Sequence, residues 1–190
     1  TGGGKTIIFL GLLAEELHAH PQRRCLILAH RQELIDQPIE RLAKFWPDLA
    51  DQSGIVMAGQ NDCDKQIIVA TVQTLNGNGR LDKILSYGAI DYLVTDEARH
   101  SIASTYVKVY ERLKAANPAL KHLGVTATPM RSDEVGLCKV YEKESAHYGI
   151  KELVKLGFLC PPRWLAIQTG ISLAGIASNG SGEDKDFNQR

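Results

Sequence analysis

Thr1-Gly2-Gly3-Gly4-Lys5-Thr6 opens the chain, and the reading of this stretch decides the fold. Gly4-Lys5-Thr6 matches the closing triplet of the phosphate-binding pattern G-x-x-x-x-G-K-[ST]. Consecutive glycines free the backbone to curl, so that successive N–H groups face an anion. On this reading Gly2, Gly3 and Gly4 cradle a nucleotide's phosphates. Lys5 brings a fixed positive charge to the β- and γ-phosphates, and the Thr6 hydroxyl ligates Mg²⁺. A helix over about Lys5–Leu17 aims its positive N-terminal end at the same anion. A glycine-rich turn that merely starts a helix is the alternative at this point.

A phosphate loop needs a strand leading into it, which would precede Thr1. The expected chain is therefore a fragment that lacks its first strand. Length and composition fit one well-cored domain plus a tail, since the 190 residues are 44% hydrophobic and 23% charged. No apolar run is long enough to span a membrane and no signal-peptide pattern is present, so a membrane partner is not expected. A cytoplasmic location follows as the expectation, with a bacterial or phage origin favoured. Cys25, Cys63, Cys138 and Cys160 lie far apart without a C-x-x-C pair. That spacing suits neither a zinc knuckle nor a disulfide framework and predicts reduced thiols. His18 and His20 read as surface residues at a helix end. A formal net charge of zero argues against a polybasic binder. Nucleic acid remains open, because backbone N–H groups and local Arg or Lys can hold a few phosphates.

Working outward from the loop, strand and helix alternate. Arg24–Ala29 is a nearly continuous apolar run, the mark of a strand buried on both faces. Arg31–Trp46 reads as an amphipathic helix with Leu34, Ile35, Ile39, Leu42 and Phe45 on one side, bent or broken at Pro38. Gly54–Ala58 and Gln66–Ala70 are strand candidates around a polar turn at 60–65, and Tyr92–Thr95 is another. Ile102–Ala116 is helical and stops at Asn117-Pro118, followed by a strand at Lys121–Val125. This alternation predicts a doubly wound α/β domain with a mostly parallel sheet and helices on both faces. A short helix over Gly149–Leu156, closed by Gly157, precedes Pro161-Pro162 and a strand-like Arg163–Gln168. From Thr169 the Gly- and Ser-rich tail reads as a linker.

Asp96-Glu97 sits at the end of the Tyr92–Thr95 strand, on the edge where open parallel sheets bind ligands. Adjacent carboxylates there repel unless a cation answers them. With Mg²⁺ and a triphosphate, Asp96 holds the metal opposite Thr6, and Glu97 orients and deprotonates the attacking water. An exposed Asp-Glu capping a helix start is the alternative. Thr126 and Thr128 end the next strand and can hydrogen-bond the acidic pair, or simply terminate that strand.

GGGKT, LILAHRQEL, ATVQTL, TDEARH and GVTATPMRSD, in that order, resemble superfamily 2 helicases and translocases. The likeness is to the DEAD/DEAH-box-like branch with the type III restriction-enzyme helicase subunits. The resemblance implies the first of two RecA-like P-loop NTPase domains, with ATP and Mg²⁺ as cofactors. It also implies DNA, ahead of RNA, as the polymer moved along. Residues 1–165 would form the ATP-binding domain, and 166–190 a linker toward the second domain of the same chain. Lys5, Asp96 and Glu97 take the catalytic positions; Arg99, His100, Thr126 and Thr128 take the coupling positions. His30, Arg31 and Glu33, with Thr71, Gln73 and Thr74, match stretches that line the family's nucleic-acid track, although Arg31 also reads as a surface charge. Gly157-Phe158-Leu159 resembles the exit toward the second domain.

Arg99 departs from the family pattern, which usually has His or Asp there. A permanently charged guanidinium cannot copy a neutral imidazole; it could pair with Asp96 or Glu97, or reach toward the second domain. The expected function is an ATP-driven helicase or translocase. A restriction-nuclease motor subunit and a non-hydrolysing, ATP-clamped nucleic-acid-binding module are the alternatives.

Overall fold

The computed structural model describes residues 3–29, 34–77, 79–128 and 136–163, together with the backbone of 178–179 and 186–187. Its centre is a six-stranded sheet ordered β3-β2-β4-β1-β5-β6. The strands are β1 (Cys25–Ala29), β2 (Ser53–Met57), β3 (Gln60–Asn61), β4 (Ile67–Thr71), β5 (Tyr92–Asp96) and β6 (Lys121–Val125). All pairs are parallel except β2 with the two-residue β3. Every residue of β1 and β4 is buried, as expected of central strands covered on both faces. β6 lies at the edge and is less covered.

The pleat sends alternate side chains to opposite faces. On one face Cys25, Ile27, Ala29, Ile67, Val69 and Val94 meet α1 (Lys5–Ala19), α2 (Asp36–Phe45) and α3 (Pro47–Ala50) through Phe9, Leu13, Leu42 and Leu49. On the other, Leu26, Leu28, Ile68, Ala70 and Leu93 meet α4 (Val72–Asn76), α5 (Arg80–Ser86) and α6 (Ser104–Ala116). Each fully buried Leu or Ile in these layers contributes about 2 kcal/mol. The expected fold class is therefore the observed one.

The helix expected over Arg31–Trp46 is described from Asp36. Pro38 falls in its first turn, where the missing N–H has no intrahelical partner to lose, so α2 runs on through it to Phe45. α4 and α5 fill a stretch for which the sequence pattern gave no element. α7 (Ile150–Lys155) matches the expected short helix and ends at Gly157, whose φ is +79°. Cys25 and Cys63 are buried thiols, whereas Cys138 and Cys160 are exposed. Within the expected linker, β7 (Ser178–Asn179) pairs antiparallel with β8 (Asp186–Phe187). Of the strand expected at Arg163–Gln168, all but Arg163 lies outside the described residues.

Candidate nucleotide site

One hydrogen-bond cluster fixes which end of α1 faces which end of the sheet. Glu16, in the last turn of α1, accepts a hydrogen bond from the hydroxyl of Tyr92, the first residue of β5. It also pairs with Lys121, the first residue of β6, at 3.7 Å, and with Arg23 at 3.4 Å. The Tyr92 hydroxyl first, then Lys121 and Arg23, hold the Glu16 carboxyl below its ordinary pKa. The C-terminal end of α1 thus sits on the N-terminal edge of the sheet. Its N-terminus must then lie at the opposite edge, where β5 ends in Asp96.

That N-terminus is chemically bare. Gly4 takes a left-handed conformation (φ +74°), which a side chain would strain. No side chain caps the helix and its first turn contains no acid. Such a helix end is able to receive an anion, and Lys5 and Thr6 are half-buried beside it. A Cβ at Gly3 would stand 3.2 Å from Leu153 Cδ1 of α7, a tight contact. Gly2 lies outside the described residues.

At the end of β5 the backbone turns sharply. Glu97 has φ 51° and ψ 52°, the one positive φ outside glycine among the described residues. Its N–H donates to Asp96 Oδ1 at 2.9 Å. A 3₁₀ turn at Ala98–His100 follows, held by His100 N–H to Glu97 O (3.0 Å) and Ser101 N–H to Ala98 O (2.9 Å). Arg99 Nε lies 3.8 Å from Glu97 Oε2 and donates to His100 Nε2 at 3.2 Å. Its other arm reaches Thr128 Oγ1 at 3.4 Å. Thr126 Oγ1 donates to Thr128 O (3.3 Å) and accepts from Thr128 N–H (3.2 Å), a local turn. The register places Asp96 opposite Val125. The Thr128 hydroxyl thus meets the acidic turn through Arg99, while that of Thr126 bonds the backbone of Thr128, an arrangement that residue order alone does not reveal.

The candidates for nucleic-acid contact divide. Thr71 ends β4 beside Ala29, on the same sheet edge as Asp96. Its hydroxyl is within 2.9 Å of Thr74 Oγ1 and accepts from Thr74 N–H (3.3 Å), capping α4. Gln73 is exposed and Thr74 half-buried. His30, Arg31 and Glu33 lie outside the described residues. Behind the acidic turn, sequence reasoning missed a polar cluster of Thr95, Ser101, His122 and Tyr141. A His and a Tyr facing an otherwise apolar layer were the signal available.

The donor set fits Mg²⁺ with a triphosphate: an uncapped helix end, Lys5, a hydroxyl at Thr6 and a carboxylate at Asp96. Among the described residues no group of three or more His, Cys, Asp or Glu forms an all-protein metal cage. None of their helices is long and apolar enough to cross a membrane.

Residues 1–131 match the family model described as type III restriction enzyme, res subunit. A Saccharomyces cerevisiae protein named as the ATP-dependent helicase IRC3 is 34% identical over 188 residues, covering 94% of this chain and 26% of the relative. A Schizosaccharomyces pombe protein named as a mitochondrial ATP-dependent helicase is 27% identical over 188 residues, covering 94% and 30%. The chain thus spans roughly a quarter to a third of the length of these relatives. The SWI2/SNF2 ATPase core of Sulfolobus solfataricus, solved with double-stranded DNA, superposes with a TM-score of 0.52 at 22% identity over 70% of this chain and 28% of that one. This last likeness carries the fold alone. Relatives from yeasts give no support to the expected bacterial or phage origin.

Proposed function

The chain belongs to the type III restriction enzyme res-subunit family, and from that premise we propose that residues 1–165 are the ATP-binding first RecA-like domain of a helicase or double-strand translocase. The observation that supports this most is the meeting of two features of opposite charge preference at one sheet edge. The bare, glycine-led N-terminus of α1 calls for an anion, and Asp96-Glu97 calls for a cation. Mg²⁺–ATP answers both.

In this reading the first-turn N–H groups of α1 bind the β- and γ-phosphates, and Lys5 neutralises charge that develops on the transferred phosphoryl group. Thr6 and Asp96 hold Mg²⁺, which supplies further neutralisation of the phosphate oxygens when bound. Glu97 orients a water and accepts its proton. Arg99 carries the state of the acidic turn to Thr126 and Thr128. DNA is the favoured polymer, held through its phosphates by Thr71, Gln73 and Thr74 where β4 passes into α4, with His30 and Arg31 as the further candidates. The segment from about residue 166 leads toward a second RecA-like domain. A motor subunit serving a nuclease is the second reading, favoured by the family's description.

The test is steady-state ATPase activity of the full-length protein with and without DNA. Lys5→Ala is expected to abolish turnover. Near wild-type turnover in that variant sinks the site assignment. Tight Mg²⁺–ATP binding with no turnover in wild type replaces the motor by a nucleotide-operated clamp.

A further inference from the structure

Tyr141 lies outside every motif read from the sequence, yet it touches Ser101, just after the acidic turn, and His122 and Gly124, on the strand that leads to Thr126 and Thr128. Val140 and Tyr141 each donate an N–H to Leu137 O at 2.9 Å, which folds the chain back toward β6. There the ring crosses Gly124 so closely that a Cβ at 124 would stand 2.3 Å from Tyr141 Cζ. The ring also packs on His122, with centroids 4.7 Å apart, and Tyr110 packs on the same imidazole at 5.0 Å. The hydroxyl lies 2.7 Å from Ser101 Oγ and 3.3 Å from His122 Nε2. That Nε2 is in turn 2.9 Å from Thr95 Oγ1.

Thr95 and Ser101 bracket the acidic turn, one before Asp96 and one after His100. Both are buried, at 1% and 2% exposure. The cavity among Thr95, Ser101, Tyr106, Tyr110 and His122 is only about 10 Å³, so these side chains have little room for other rotamers. Between the brackets stands Glu97, in a left-handed conformation that its surroundings must enforce. The ring of Tyr141 rests on the strand that leads to Thr126 and Thr128, and its hydroxyl grips the turn that carries Glu97 and Arg99.

We infer that Tyr141 is a positioning residue for the acidic turn: bridging Ser101 and His122, it holds Glu97 and Arg99 in register with Thr126 and Thr128. This rests on the hydrolytic reading above. The ring supplies packing and the hydroxyl supplies alignment, so Tyr141→Phe separates the two.

In full-length protein, Tyr141→Phe is expected to lower kcat for ATP about fivefold to tenfold, the worth of one buried hydrogen bond, with KM within about twofold. Ser101→Ala, which breaks the Ser101 contact alone, should lower kcat no more than Tyr141→Phe, which also releases His122, and the double variant should fall no further than Tyr141→Phe. Unchanged kcat in Tyr141→Phe overturns the inference, and so does an additive double variant. A fall in kcat matched by a rise in KM also overturns it, since the phosphate loop is then affected as well. Amide exchange across residues 97–103 gives a reading independent of turnover. Faster exchange in Tyr141→Phe supports the positioning role even if wild type hydrolyses no ATP, in which case the hydrolytic reading alone fails. Unchanged exchange there removes the positioning role whatever the ATPase shows.

Discussion

At the N-terminal edge of the sheet, the guanidinium of Arg24 donates to the carbonyls of Cys63 and Gly88 at 2.6 Å, Ile84 at 3.0 Å and Lys65 at 3.2 Å. At the C-terminal edge, the first turn of α1 meets no capping side chain among the described residues. The contrast extends to the neighbours. Asp91 accepts from Arg24 N–H, Asn117 donates to Ile90 O, and Gln66 donates to the carbonyls of Pro21 and Arg23. Opposite them, Gly4 and Glu97 hold left-handed backbones, and Thr128 is exposed. A buried polar group left unpaired costs about 1–3 kcal/mol, so the first edge, whose groups answer one another, stabilises the fold. At the second edge the polar groups are fewer and partly exposed: Arg99 reaches Glu97 and Thr128, and among the described residues no side chain caps the first turn of α1. One sheet thus separates stability from chemistry by strand direction.

The largest effect expected from this contrast is at Arg24. Arg24→Met should strip the loops at 63–65 and 84–88 of their common partner and destabilise the protein by about 4 kcal/mol. Lys5→Ala, at the other edge, should stay within about 0.5 kcal/mol of wild type in the same denaturant titration. Comparable losses from both would erase the distinction between the edges.

His122 places one buried liability near the functional edge. Its Nδ1 is shut from solvent without a partner among the described residues, and burial pushes its pKa down to about 4 from 6.5. Because the unfolded chain then binds the proton more readily, stability is full above pH 6.5 and declines as pH falls toward 4. The expected loss is on the order of 3 kcal/mol. Urea midpoints across that range should show this slope, and His122→Gln should flatten it. A slope that persists in the variant assigns the effect to another group.

Glu97 tests whether strain is confined to the functional edge. Glu97→Gly should relieve the left-handed backbone and raise stability by about 1 kcal/mol while removing hydrolysis. Glu97→Gln, with the backbone strain retained, should lose hydrolysis at unchanged stability and nucleotide binding. A destabilised Glu97→Gly would mean that the side chain contributes more through Arg99 than the backbone costs.

The smallest effect concerns Arg99. Its contact with Glu97 is long and partly exposed, worth less than about 1 kcal/mol, so Arg99→Ala should leave the melting temperature nearly unchanged. Stimulation of the ATPase by DNA should still fall, because the contact with Thr128 is lost. Arg99→His should retain part of that stimulation if imidazole reaches the same hydroxyl. Full stimulation in Arg99→Ala, measured at fixed salt, would place the coupling elsewhere.

The sequence by itself determined the alternation of strand and helix and, with it, the α/β architecture. Apolar runs such as Cys25–Ala29 suit strands covered on both faces, and glycine before Lys5-Thr6 allows the left-handed backbone with which α1 begins. These are local constraints, satisfied by residue type and spacing. Helices α4 and α5 were not legible, because their few apolar positions, Val72, Leu75, Leu81 and Ile84, are too short a pattern to set a period. Nor was the late start of α2, where Pro38 reads as a breaker until its place in the first turn is known. What only the tertiary structure decided is how distant segments complete one another. Arg24 finds carbonyls some forty and sixty residues away, Arg99 finds Thr128, and Tyr141 finds Gly124, His122 and Ser101. Hydrogen bonds act over about 3 Å, and sequence spacing carries no distance between residues on different strands. Those partnerships exist only once the parallel sheet has set the register.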